Sequence, residues 1–397
     1  MRPAIVVGTA IFVELCLATL AALAGVAPTT EPAGQFTDLA SVIQQNTHVL
    51  RLAQGQYQVG PGTLDIPADF ELIGAGRSTV IHAASGTKVA LRLHSGSRLS
   101  NMHFDGHGVA KGNVNDPFIS IPSDTANVTL DNLHIADCPR AAIVTDHASD
   151  IVIRNCRFER IALATNILFS RNVRVLDNTV VDATIHGLQF WGNWKWQQQD
   201  ADNLLFSGNT LINGGNCCIW GSGARHVILA NNLLDGAKDV GLDLEWCSDS
   251  VISANVARRC RNSGIALFFA CHNVAITGNS IANDAPISAE DAKADWWVRS
   301  GIWLTYPNRK DFPDDRGHDN ITIVGNAIAC APGDRRAMWI GSESHNIVIG
   351  NNAITDGQIW SGGHDGEHPM HLKLEPTNVV LNAQPPASSS TTPTFAP

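Results

Sequence analysis

Apolar residues along this chain come in short alternating runs rather than in helical stripes. From Asn127 the runs repeat. NVTLDNL begins at 127, DIVIRNC at 150, NVRVLDN at 172, NLLFSGN at 203 and HVILANN at 226. DSVISAN follows at 249, NVAITGN at 273, NITIVGN at 320 and NIVIGNN at 346. Strict alternation over so few residues is the period of a strand with one face inward. The starts are 23, 22, 31, 23, 23, 24, 47 and 26 residues apart. Seven of the nine units carry Asn at their seventh position: Asn178, Asn209, Asn232, Asn255, Asn279, Asn326 and Asn352. A period near 23 that holds only strand-like runs predicts a solenoid.

The physics of that period is specific. About three short strands fill a coil, and none can bury itself alone. Stacking at roughly 4.8 Å pairs each strand with its copy in the next coil. Parallel crossovers favour the right hand. One Asn per coil at a tight turn can adopt an unusual backbone conformation and bond to the Asn above and below. The predicted fold is therefore all-β, a right-handed parallel β-helix. Residues 34–46, GQFTDLASVIQQN, predict a short N-terminal capping helix, with Thr37 as its cap and Leu39, Val42 and Ile43 on one face.

A second pattern recurs inside the coils: Gly, apolar, any residue, apolar. It reads HGLQF at 186, VGLDL at 240, SGIAL at 263 and SGIWL at 300, with RAMWI at 336 as a variant. Alternation points Leu242 and Leu244 inward with their equivalents. It points Gln189, Asp243, Glu245, Ala266, Phe268, Trp303 and Trp339 outward. The repeat lengthens around this strand, at WGNWKWQQQDAD, ANDAPISAEDAKADWWVR and YPNRKDFPDDRGHD. Functional sites on repeat scaffolds gather where loops accumulate on one face.

Composition narrows the function. The formal net charge of −10 argues against nucleic acid as a partner, because phosphate binding needs a basic surface. At the N-terminus Arg2, an apolar run and Ala22-Leu23-Ala24 fit a signal peptide over residues 1–24, although Glu14 is unusual within it. That places the protein in a secreted or periplasmic setting, with no membrane span after signal removal. Residues 34–375 form the β-helix domain, closed by a cap over 353–375. The Pro/Ser/Thr-rich stretch 376–397 reads as a disordered tail. Cys16 leaves with the signal and eight cysteines remain. Cys247 and Cys271 fall at one phase of adjacent coils, as a disulfide or as stacked thiols.

The segment TDLASVIQQN, VLRLAQGQYQV, LIGAG and TVI resembles the opening of pectin-lyase-like β-helix proteins, and the NVxIxGN units resemble their repeats. The resemblance spans roughly residues 34–360. It implies the fold, and a family of lyases, hydrolases, epimerases, tailspikes and binding proteins. It carries no complete catalytic signature. Lys238-Asp239 and His186-Gly187 are not the Asp-Asp and Gly-His-Gly of polygalacturonases, and 146–150 is not the Asp-Pro-His-Asp of alginate epimerases.

Candidate chemistry centres on KDVGLDLEWCSDS. Asp243 and Glu245 share one face of a strand, about 7 Å apart at the backbone. Two close carboxyls separate their pKa values, as an acid/base pair for glycoside hydrolysis requires. All ten Trp lie between 191 and 360, and indole faces stack on sugars. His186, Gln189, Trp191, Lys238, Asp239, Arg299, Trp303 and Trp339 are the expected substrate-binding residues. The leading expectation is a glycoside hydrolase acting on a polysaccharide, with no cofactor. Two others stay open. One is a lyase or uronate epimerase using Lys238, Arg299 or Arg335/Arg336, with Ca²⁺ held by Asp239, Asp243 and Glu245. The other is a glycan-binding surface protein. Asp105-Gly-His107-Gly reads as a turn.

Overall fold

The computed structural model describes residues 36–46, 48–113, 116–193, 200–285, 299–310, 312–313, 315–330, 336–362 and 380–381. The expected signal segment, Trp194, Trp196, Trp296, Trp297 and most of the tail lie outside the described residues. From Thr37 onward the strands stack coil on coil in parallel, as a right-handed β-helix. One coil shows the plan. Ala224–Ala230, Leu233–Asp235 and Val240–Glu245 pair in parallel with Ser248–Ser253, Val256–Arg258 and Ser263–Phe268 of the next coil.

The core is one continuous column of inward residues. Val227, Leu229, Leu234, Leu242 and Leu244 of the first coil are fully buried, as are Ile252, Ile265 and Leu267 above them. Each such side chain contributes about 1.5–3 kcal/mol relative to exposure. No coil can realise that gain without its neighbours.

The predicted Asn ladder is present from Asn178 to Asn352. Each Nδ2 donates to the next Oδ1: Asn178 to Asn209 at 3.0 Å, Asn209 to Asn232 at 3.0 Å, Asn232 to Asn255 at 2.9 Å. Asn255 to Asn279, Asn279 to Asn326 and Asn326 to Asn352 continue it. The second N–H of Asn232 reaches the Phe206 carbonyl, and its backbone N–H donates to the Asn255 Oδ1. Every amide in the interior of the column is thereby satisfied, which a buried polar group requires.

The unusual backbone is not at the ladder position, contrary to expectation. It falls on the first and sixth residues of every unit. Asn127, Asp150, Asn172, Asn203, His226, Asp249, Asn273, Asn320 and Asn346 have φ between 48 and 60°. Asn132, Asn155, Asp177, Gly208, Asn231, Ala254, Gly278, Gly325 and Asn351 lie between 51 and 71°. The two left-handed residues bend the chain on either side of the strand, and the bend after it turns the seventh side chain inward.

The capping helix is short, Leu39–Ile43, with Leu39 and Ile43 buried. Asp38, not Thr37, caps it, because its carboxylate accepts from the Ala40 and Ser41 N–H groups. At the other end the expected cap continues the strands, as Ala353–Thr355 and Gln358–Gly362. Within the expected tail, Val380 and Leu381 pair with Val348 and Ile349. All eight described cysteines are buried thiols, Cys247 and Cys271 included. Among the described residues no helix is long and apolar enough to cross a membrane.

Candidate functional site

Register fixes which side chains share the loop-bearing face. Asn166, Gln189, Trp220, Asp243, Ala266, Trp303, Trp339 and Trp360 are successive partners along one outward row. Leu168, Trp191, Ser222, Glu245 and Phe268 form the row beside it. Asp243 and Glu245 therefore leave the same face of Val240–Glu245, opposite to the core residues Leu242 and Leu244.

Both open onto a depression of about 490 Å³. Its carboxyl side is Asp239, Asp243 and Glu245, and its cations are Lys238 and Arg261. His186, Asn216, Cys217, Trp220 and Phe268 complete the lining. Four successive coils deliver these groups: Thr179–Trp191 with His186, Cys217–Ser222, Val240–Glu245 and Ser263–Phe268, together with the turns that lead into the last three.

The electrostatics are unusual. Asp243 is 4% exposed, and burial, then Glu245 and Asp239, push its pKa well above the ordinary range. Its Oδ2 faces the Cys217 Sγ at 3.8 Å, while its Oδ1 has no hydrogen-bond partner. Burial raises Glu245 to about 7, against hydrogen bonding from the protein. The Trp220 indole N–H donates to its Oε1 at 3.0 Å. Asp239 is also raised, chiefly by burial, and accepts from the Asn262 amide at 2.9 Å. His186 is depressed to about 4 by burial. Its Nδ1 accepts the Cys217 N–H at 3.2 Å, and its ring stacks on Trp220 at 5.5 Å. That contact places the imidazole proton on Nε2.

The structure brings together Asp243, Glu245, Asp239, Lys238 and His186. It does not bring Gln189 to the cavity. Gln189 is buried and donates to the Asn166 Oδ1 at 3.0 Å. Trp303 and Trp339 face away from the core, yet they are only 6% and 4% exposed. Indoles in one row of adjacent coils are wide enough to cover one another, so this aromatic stripe is sealed rather than open. Phe268 meets Trp303 edge-on at 4.8 Å, and the Arg336 guanidinium sits over Trp339 at 4.6 Å and over Trp360 at 4.7 Å. Trp303 nevertheless borders a second, smaller recess of about 210 Å³ with Phe269, Tyr306 and Asn308. Trp191 is half-buried beside Trp220. Arg299 is half-buried at the start of its strand, where its carbonyl accepts from Asn283.

Cys217 and Arg261 were not singled out from the sequence, and Trp220 was placed close to the outward strand but not on it. Trp220 could have been placed on it. Aligning CCIWGS on VGLDLE sets Ile219 on Leu242 and Trp220 on Asp243. The missing leading Gly and a Gly in place of the second apolar residue hide that match. Arg261 lies in a turn, where no periodicity marks it.

Comparison with known proteins agrees with this architecture. In sequence, no curated protein matches the chain. Among solved structures it is similar to the A-module of the mannuronan C-5 epimerase AlgE6 of Azotobacter vinelandii, with a TM-score of 0.61 at 15% identity, over 88% of this chain and 97% of that one. The alginate lyase AlyF-OU02 in complex with G6 gives 0.59 at 10% identity, over 86% and 80%. The catalytic unit of the GH87 α-1,3-glucanase of Streptomyces thermodiastaticus gives 0.58 at 14% identity, over 90% and 70%. At such identities the likeness is one of fold. The model of the right handed beta helix region matches residues 74–195 and 196–306, more than half of the sequence, and the chain belongs to that family.

Proposed function

We propose that this is a secreted, carbohydrate-active β-helix enzyme that hydrolyses a glycosidic bond of a polysaccharide bound over the Asp243–Glu245 strand. One observation carries the reading. Two carboxyls that open onto the same cavity are both raised by burial, Glu245 to about 7, and the charge of Glu245 raises Asp243 further. Such a pair can hold one proton between them, which is the state that acid/base cleavage needs.

Asp243, the more strongly raised, donates its proton to the glycosidic oxygen as the bond to the anomeric carbon breaks. Glu245 is the base or the nucleophile, and the Trp220 N–H holds it in place. Water completes the reaction at the anomeric carbon. Lys238, Arg261 and the Nε2–H of His186 supply donors to sugar hydroxyls, and the ring of Trp220 offers an apolar edge to a sugar face. The fold neighbours include a glucanase, a lyase and an epimerase, so polysaccharide is the substrate class that the likeness supports.

A lyase or epimerase reading draws on Lys238 and Arg261, which could neutralise a uronate carboxylate. It is weakened by His186, whose Nδ1 already accepts a backbone N–H and which therefore donates rather than abstracts. Products separate the readings on a panel of neutral and acidic polysaccharides. New reducing ends without the ultraviolet absorbance of an unsaturated uronate are expected. That absorbance would transfer the proposal to a lyase, and binding without any product would leave a glycan-binding protein.

A further inference from the structure

The turn Asp105-Gly-His107-Gly does more than reverse the chain. Gly106 donates its N–H to the Ala136 carbonyl of the next coil, and a Cβ there would stand 2.8 Å from the Cys138 Cα. The absent side chain lets the turn press against the following coil, at Asp137. Asp137 is itself left-handed, with φ 58°. The result is that one ligating atom each from Asp105, His107 and Asp137 lies within 4.8 Å of the other two.

The surroundings orient these groups from outside. The His82 Nδ1 holds the Asp105 Oδ2 at 2.9 Å from the coil below. Arg160, from the coil above, donates Nε to the Asp137 Oδ1 at 2.6 Å and Nη2 to its Oδ2 at 2.7 Å. Between those two braces, the His107 Nδ1 lies 2.6 Å from the Asp105 Oδ1 and 3.9 Å from the Asp137 Oδ2. A carboxylate oxygen has two lone-pair directions, so the bond from Arg160 leaves one for an ion. Buttressing of ligands by partners from neighbouring elements is what a metal site needs to fix their directions. The two carboxylates and the Arg160 guanidinium together carry one negative charge, which a divalent ion offsets.

We propose that Asp105, His107 and Asp137 bind a divalent transition-metal ion between two consecutive coils. The donor set decides the class of ion. One imidazole with two carboxylates suits the manganese-to-zinc series, whereas Ca²⁺ and Mg²⁺ prefer all-oxygen sites. The ligands come from the corner after Arg98–Asp105 and from the end of Ala126–Ala136. Four steps of register separate Ala136 from Asp235, in the coil that carries the Asp243 strand, so the site is separate from the proposed active site. Because it ties one coil to the next, occupancy stabilises the N-terminal half of the solenoid.

The test uses the full chain stripped with EDTA and titrated calorimetrically with Zn²⁺, alongside His107→Ala and Asp137→Asn. His107 is exposed, so its variant keeps the fold, and melting in EDTA checks this. The wild type should take up one more equivalent than either variant, or bind at least about tenfold more tightly. Zn²⁺ should raise its melting temperature and leave that of His107→Ala unchanged. Millimolar Ca²⁺ should not displace the zinc. Equal uptake by wild type and both variants, or displacement by Ca²⁺, overturns the proposal. Binding that survives in Asp243→Asn is expected, and its loss there would place the ion in the groove instead.

Discussion

The Asn column and the carboxyl-bearing row run along the same coils, and Asn232 of the one and Asp243 of the other are both polar and buried. They treat that burial in opposite ways. In the column, each interior amide donates twice and accepts twice, and every partner is a copy of itself or a backbone group. In the row, Asp243 replaces what is Trp220 one coil earlier and Ala266 one coil later. It has no copy to bond, and its Oδ1 is left unpaired. An unpaired buried acceptor costs about 1–3 kcal/mol. Repetition of a polar residue at one phase therefore builds structure, whereas a polar residue that breaks its row carries a cost that its stack does not offset, as expected of Asp243 in the proposed catalytic role.

The largest effect should come from neutralising the broken row. Asp243→Asn or Glu245→Gln is expected to lower turnover by about 10²–10⁴-fold, with binding, and unfolding at pH below 4.5, nearly unchanged. Stability should respond to pH in a set direction. The pKa of Glu245 rises from an ordinary 4.5 to about 7 on folding, so the protonated carboxyl favours the folded state. That contribution is complete below 4.5 and is lost as pH climbs to about 7. Urea unfolding across that window should show the slope in the wild type and a shallower one in Glu245→Gln. If both variants turn over normally, the unpaired carboxyl has no catalytic role and the contrast between the rows fails.

The column should break in the other sense. Asn232→Leu leaves the Asn209 donors, the Phe206 carbonyl and the Asn255 Oδ1 without their partners, and should cost about 3 kcal/mol. Thermal unfolding measures it directly. Turnover at permissive temperature should stay close to wild type, because the ladder lies on another side of the coil from the cavity. Melting at the wild-type temperature would show that the amides contribute nothing by stacking.

These two regions also differ in how legible they were. The column could be read to the residue because its cause is local and repeated: Asn at one phase has one best use in a stack. Asp243 and Glu245 could be placed on one face for the same reason, since alternation fixes direction. Which neighbours close over them could not be read that way. The sealing of Trp303 and Trp339, the amide pair of Gln189 with Asn166, and the arrival of Trp220 and Arg261 at the cavity all depend on side-chain size across coils. Period carries no information about that. The tight turn and the inward Asn are adjacent residues, so the period does not separate them, and only the backbone angles distinguish them.

That distinction yields the smallest and most discriminating prediction. At the sixth position of the units, eight of nine residues are Asn, Asp or Gly, the types that tolerate φ near +55°, and the ninth is Ala254 with φ 53°. A left-handed alanine costs roughly 1–2 kcal/mol. Ala254 is exposed, so replacing it loses no packing. Glycine in its place relieves the strain but adds about 0.5–1 kcal/mol of unfolded-chain entropy. Ala254→Gly should therefore stabilise the protein by on the order of 0.5 kcal/mol, the difference of those two terms. Paired urea titrations of the variant and the wild type can resolve the sign. A destabilised variant would mean that the sixth position is not set by its backbone, and the turn would then have to be held by the ladder residue that follows it.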